Sequence, residues 1–143
     1  MNQDSIELLK ECNSGCKNAT NSMEQVLPYV KEDKLRKIIE DYNKKHIKLG
    51  DECHKLLNEA GEDEKDPNGF TQAMASIGTE FKLLMNDGSG KIAELMVDGC
   101  NMGIKSISKC VNKLKGAENK VKDISFEIIS IEQDFMNELL AFL

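Results

Sequence analysis

The sequence predicts an all-α protein, a bundle of four long helices with a shorter helix between the second and third. Three observations predict it. Apolar residues recur at helical spacing along almost the whole chain, and no stretch sustains the two-residue alternation of a strand. Breaks at Pro28, Gly61, the run NDGSG and Gly116 then divide the chain into helix-sized pieces. A chain of 143 residues is most simply one domain, residues 1–143, with enough apolar material for a real core.

The first helix is expected from Asp4 to near Val30, with the stripe Ile6, Leu9, Cys12, Cys16, Ala19, Met23 and Val26 or Leu27. Pro28 kinks or ends it, because proline removes a helical donor. The second begins at Asp33, a residue type that caps helices. Its stripe is Leu35, Ile38 or Ile39, Tyr42, His46, Leu49, Cys53 and Leu56, closing at Gly61. The polar run GEDEKDPNG leads into a short helix from Phe70 to Met85 that carries Met74, Ile77, Phe81 and Leu84.

After NDGSG, with Asp87 or Ser89 as cap, the third long helix presents Ile92, Met96, Gly99, Gly103, Ile107, Cys110 and Leu114 to the core. Glycine inside a helix costs roughly 1 kcal/mol relative to alanine, so a buried pair four apart signals a close neighbour. Such space admits a bulky group such as Phe135 or Phe142. Gly116 is placed as the C-terminal stop. The last helix carries Val121, Ile124, Ile128, Ile131, Phe135, Leu139 and Phe142.

Short links make helix pairs one–two and three–four antiparallel hairpins. The longer middle connection either carries the chain back along the bundle, as in the ferritin-type single crossover, or folds across one end. The crossover is the favoured expectation.

Composition narrows the function classes. The formal net charge is -6, from 25 acidic and 19 basic residues, with no dense basic patch. Nucleic acid is therefore not an expected partner. No run approaches the ~18 apolar residues that cross a bilayer, and the start MNQDSIELLKECN lacks a signal-peptide layout. A cytoplasmic protein with no membrane partner is expected. GxSxG, HExxH and phosphate-cradling glycine loops are all missing, which leaves hydrolase chemistry without support.

The segment IAELMVDGCNMGI, following NDGSG, resembles a motif of a family of helical proteins of similar length from clostridia and related Firmicutes. VLPYVKEDKLRKIIEDYNK and the ending IEQDFMNELLAFL are similar to that family's helix hairpin and terminus, so the resemblance covers nearly the whole chain. It implies a ferritin-like four-helix bundle. The family has no established activity, so the resemblance implies no catalytic residues.

A ferritin-like bundle raises the question of a di-iron centre, which needs a Glu from two helices and Glu-x-x-His from each of the others. Asp51-x-x-His54 has that spacing, yet with Leu49 and Cys53 inward, Asp51 points out and His54 lies off the seam. Glu40, Glu94 and Asp98 also face outward, Glu24 is at best a flank residue, and Phe135 stands where a histidine would follow Glu132. A complete di-iron set is not expected.

Two polar groups do fall on apolar seams. His46 lies about 20 Å into its helix and Glu132 about 21 Å into its own. Both belong near mid-bundle, and a lone buried carboxylate is costly, so a His46–Glu132 contact is predicted. Cys16 and Cys100 fall at similar depth. A Cys16/His46/Cys100/Glu132 layer has ligand types that zinc or iron accepts.

The five cysteines, at 12, 16, 53, 100 and 110, contain no CxxC pair and project near the buried stripes. They are expected as free thiols that pack like small hydrophobes, with Cys12 and Cys53 sharing a layer that Cys110 joins in the crossover topology. The leading expectation is a binding, structural or self-associating module, without catalytic residues or a cofactor, with a homo-oligomer as one option and no protein partner identified. The alternative is a metal-binding or redox protein that uses the mid-bundle layer. Phe126, Ile129 and Met136 are the apolar candidates for dimerisation.

Overall fold

A computed structural model describes residues 1–63 and 88–143, and its described secondary structure is entirely helical. The short helix expected over Phe70–Met85, and Asp87 as a cap, lie outside the described residues. The four long helices are α1 (Gln3–Val26), α2 (Asp33–Glu59), α3 (Ser89–Lys113) and α4 (Asn119–Leu139). Among the described residues no helix is long and apolar enough to cross a membrane.

Each helix end has an identifiable cause. Asn2 caps α1 by accepting the Ser5 amide at 2.9 Å. Pro28 ends that helix earlier than Val30, because α1 tightens after Val26 into a 3₁₀ turn over Leu27–Tyr29. Asp33 is not the cap of α2. It lies in the first turn and pairs with Arg36 at 2.6 Å, while Glu32 occupies the cap position without a side-chain bond.

α2 ends as its sequence predicts. Gly61 adopts φ of 69°, and the Gly61 and Glu62 amides bond back to the Asn58 and Leu57 carbonyls in a Schellman arrangement. At α3, Ser89 is the first helical residue and not the cap, a position held by Gly88 at φ 78°. Gly116 is not a helix stop either, since α3 already ends at Lys113. Its backbone instead receives the start of α1: Asp4 accepts the Gly116 amide at 2.9 Å, and Asn2 donates to its carbonyl at 2.8 Å.

These contacts fix the helix directions. The start of α1 meets the α3–α4 turn, and Lys10 pairs with Glu62 just beyond the end of α2 at 3.0 Å. At the opposite end, Met23 and Val26 share a core with Ile92, Phe135 and Leu139. Hence α1 and α2 are antiparallel, α3 and α4 are antiparallel, and α2 and α3 run the same way. The end of α2 and the start of α3 therefore lie at opposite ends of the four helices.

The core falls into two apolar clusters. One gathers Leu8, Leu9, Cys12, Cys53, Leu57 and Ile124 around the start of α1. The other gathers Met23, Leu35, Ile39, Met96, Phe135 and Leu139 around its end. Within the second, Tyr42 stacks on Phe135 with ring centroids 4.7 Å apart, and Lys45 lies over the outer face of the tyrosine. On α1 the seam runs through Leu8 and Leu9, leaving Ile6 only half-buried.

Candidate functional site

The boundary between the two clusters is polar, and two helices build it. His46 follows Tyr42 and precedes Leu49 on the buried face of α2, one helical turn from each. Glu132 sits between Ile128 and Phe135 on α4. His46 is fully buried and Glu132 is 5 % exposed. The predicted contact is present: His46 Nε2 and Glu132 Oε1 are hydrogen-bonded.

Backbone geometry fixes the rest of the imidazole. Nδ1 lies 2.7 Å from the Tyr42 carbonyl, which only accepts, so Nδ1 carries a hydrogen and donates. One proton then lies between Nε2 and Oε1. Drawn on the ring or on the carboxyl, it leaves the pair with no net charge. A neutral, hydrogen-bonded pair avoids the penalty of an isolated buried ion.

Gly103 makes room for this arrangement. A Cβ at that position would lie 3.4 Å from Glu132 Oε2, so α3 presents bare backbone to the carboxylate. The buried glycine pair expected on α3 is therefore one glycine. Gly99 is exposed, and a Cβ there would meet nothing within 4 Å. The inward residue beside it is Cys100, whose buried thiol lies beside the Glu132 carboxylate, and that charge adds to the burial that disfavours its thiolate. The neighbour that Gly103 accommodates is Glu132 and not Phe135 or Phe142.

Cys16 approaches from α1, where it meets Gly50 of α2. A Cβ on Gly50 would lie 3.2 Å from Cys16 Cβ, which marks the close crossing of those two helices. Of the four residues proposed as ligands, His46 and Glu132 are joined by a hydrogen bond, and Cys100 and Cys16 lie near enough for the carboxylate to disfavour their thiolates. Among the described residues no three His, Cys, Asp or Glu side chains converge as a metal-holding set.

The remaining residues weighed for a di-iron set lie outside the described core. Asp51, His54, Glu40, Glu24, Glu94 and Asp98 are all exposed on outer faces, and Glu132 is the one carboxylate buried among the described residues.

The thiols form a second feature of the interior. Cys12, Cys16, Cys53 and Cys100 are buried and free, and Cys110 is half-buried. Burial pushes the Cys12 thiol up to about 11, the Ser125 hydroxyl offsetting part of the rise. Cys16, Cys53 and Cys100 are raised further, again chiefly by burial, with the neighbouring thiols or Glu132 adding to it. A thiol held protonated is a poor nucleophile and metal ligand. Tyr42 is likewise raised, by burial first and then by its bond to Glu138.

Several buried polar groups escaped the sequence reading. Ser125 donates to the Val121 carbonyl at 2.9 Å, and its oxygen is hydrogen-bonded with Cys12 Sγ at 3.1 Å. Ser5 accepts the Glu118 amide at 2.8 Å, tying α1 to the start of α4. Asn13 is buried, and its Nδ2 has no partner among the described residues. Serine and asparagine on a stripe give no periodic signal that separates them from surface positions.

Compared with known proteins, the chain matches no family model, no curated protein and no solved structure.

Proposed function

We propose that the chain is a ferritin-like four-helix bundle, with a short helix in its middle connection, that works in the cytoplasm as a structural or binding module and self-associates. One observation carries the reading: the polar groups at mid-bundle are spent on one another. Both nitrogens of His46 are engaged, by the Tyr42 carbonyl and by Glu132, and the carboxylate also faces the Cys100 thiol. A layer closed in this way specifies which faces of α2 and α4 meet, as buried polar groups do when they fix helix register. The parallel run of α2 and α3 supports a single-crossover, ferritin-type topology. The resemblance to the clostridial and Firmicutes family fits the same reading.

The competing reading is a zinc- or iron-binding or redox protein that uses Cys16, His46, Cys100 and Glu132. Metal analysis of anaerobically purified protein, alongside a Cys16→Ala/His46→Ala variant, separates the two. The structural reading expects no stoichiometric metal in either protein and a lower Tm in the variant. Stoichiometric metal in the parent that is lost from the variant overturns it.

A further inference from the structure

The exposed face of α3 has a charge order that a second copy of the same helix would complement. Along its outer edge lie Glu94, Asp98, Lys105 and Lys109, all exposed. Glu94 and Lys109 are equidistant from the point between Asn101 and Met102, and so are Asp98 and Lys105. Exposed Gly99 and Met102, the latter 70 % accessible, lie beside that point. Within one chain the order is unfavourable, because Glu94–Asp98 and Lys105–Lys109 are like-charge neighbours four apart. Of these four only Glu94 has an ion-pair partner among the described residues, Lys91 at 3.5 Å across the surface, and Asp98, Lys105 and Lys109 make no ion pair there. The helix dipole does not account for Asp98 and Lys105, which lie well inside the first and last turns.

The adjoining helix has a matching symmetry. Phe126 of α4 and Leu140, the first residue of the 3₁₀ turn that follows it, are 54 % and 51 % exposed and lie seven residues either side of Gln133. The Gly103–Glu132 contact sets the height of α4 against antiparallel α3. It brings Gln133 to about the level of the midpoint of the α3 charges.

We infer that two copies of this chain pair face to face through α3 and α4, antiparallel, about a two-fold axis passing beside Asn101, Met102 and Gln133. Each Asp98 then faces Lys105 of the other copy, each Glu94 faces Lys109, and each Phe126 meets Leu140. Such an interface is isologous and closed, the usual form of a homodimer, with apolar contact supplying attraction and charge supplying register. The inference rests on the self-association reading and gives it a surface.

Sedimentation velocity on the full chain over a wide concentration range tests it, with Asp98→Lys, Lys105→Glu and the double exchange. The parent should dimerise. Each single reversal sets like charges opposite one another twice per dimer and should weaken association by about tenfold or more. The double exchange should restore it, and circular dichroism should show the same helicity throughout. A parent that stays monomeric overturns both this interface and self-association, while the metal analysis still decides the structural reading. A dimer indifferent to the single reversals overturns this interface alone.

Discussion

Gly103 and Glu132 are complementary: the missing side chain on α3 leaves the space in which the carboxylate on α4 turns toward His46. A Cβ at 103 would stand 3.4 Å from Glu132 Oε2. The glycine on α3 thus serves the polar pair formed by α2 and α4, and three helices converge on one hydrogen-bonded layer between two apolar clusters.

That layer predicts a strongly coupled double-mutant cycle. His46→Ala strands Glu132, and Glu132→Ala strands the Nε2 edge of the ring; each should cost about 3–5 kcal/mol. Replacing both with leucine removes the unmet polar groups together, so the double variant should lose far less than the sum. Glu132→Gln keeps a donor toward Nε2 and should be milder than Glu132→Ala. Urea denaturation of the four variants provides the measurement. Additive losses would show that the pair is not coupled.

The helical glycines predict opposite signs for one substitution. Gly99→Ala adds a methyl in open space on a helix surface and should raise stability by about 0.5–1 kcal/mol. Gly50→Ala drives a methyl to 3.2 Å from Cys16 Cβ, which is too close to its backbone to swing aside. The crowding should cost about 1–3 kcal/mol, helix propensity notwithstanding. Thermal melts that rank Gly50→Ala above Gly99→Ala would contradict the described packing.

Periodicity located most of the α2 seam, because Leu35, Tyr42, His46, Leu49, Cys53 and Leu56 keep one register, while it left Ile38 or Ile39 open and missed Leu57. It also placed His46 and Glu132 together, since both interrupt apolar stripes at similar depth. It failed where angular position lies near a boundary. Gly99 and Cys100 are neighbours in sequence, and a turn of 100° decides which one faces in. Cap residues were misjudged for a related reason: Asp33, Ser89 and Gly116 are the right types, but each lies a residue or more from the cap position. Gly116 and Ser5 make contacts over more than a hundred positions, and no local pattern encodes those.

The thiols should differ in reactivity according to burial. In native protein at neutral pH, Cys110, the half-buried one, should react first with a disulfide reagent such as Ellman's. Cys12, Cys16, Cys53 and Cys100 should wait for the bundle to open, because only a thiolate attacks and burial disfavours it. Their rates should rise together with urea. Four thiols reacting as fast as Cys110 in native buffer would contradict the core described above.

The same four thiols predict a loss of stability in alkali. Each has a folded-state pKa above the ordinary value of 9.0, Cys12 at about 11 and the others higher. Below pH 9 folded and unfolded chains both hold these protons, and stability does not depend on them. Between about pH 9 and 11 the unfolded chain releases protons that the folded chain keeps. Stability then falls as pH rises, by roughly 1 kcal/mol per pH unit for each group. Tyr42, raised from 10.0, adds to the slope in the upper part of that range. Replacing Cys16 and Cys53 with alanine should lower stability at pH 7 and flatten the decline above pH 9. Denaturation midpoints from pH 7 to 11 measure both effects, and a parent protein equally stable at pH 7 and pH 11 would exclude buried, protonated thiols.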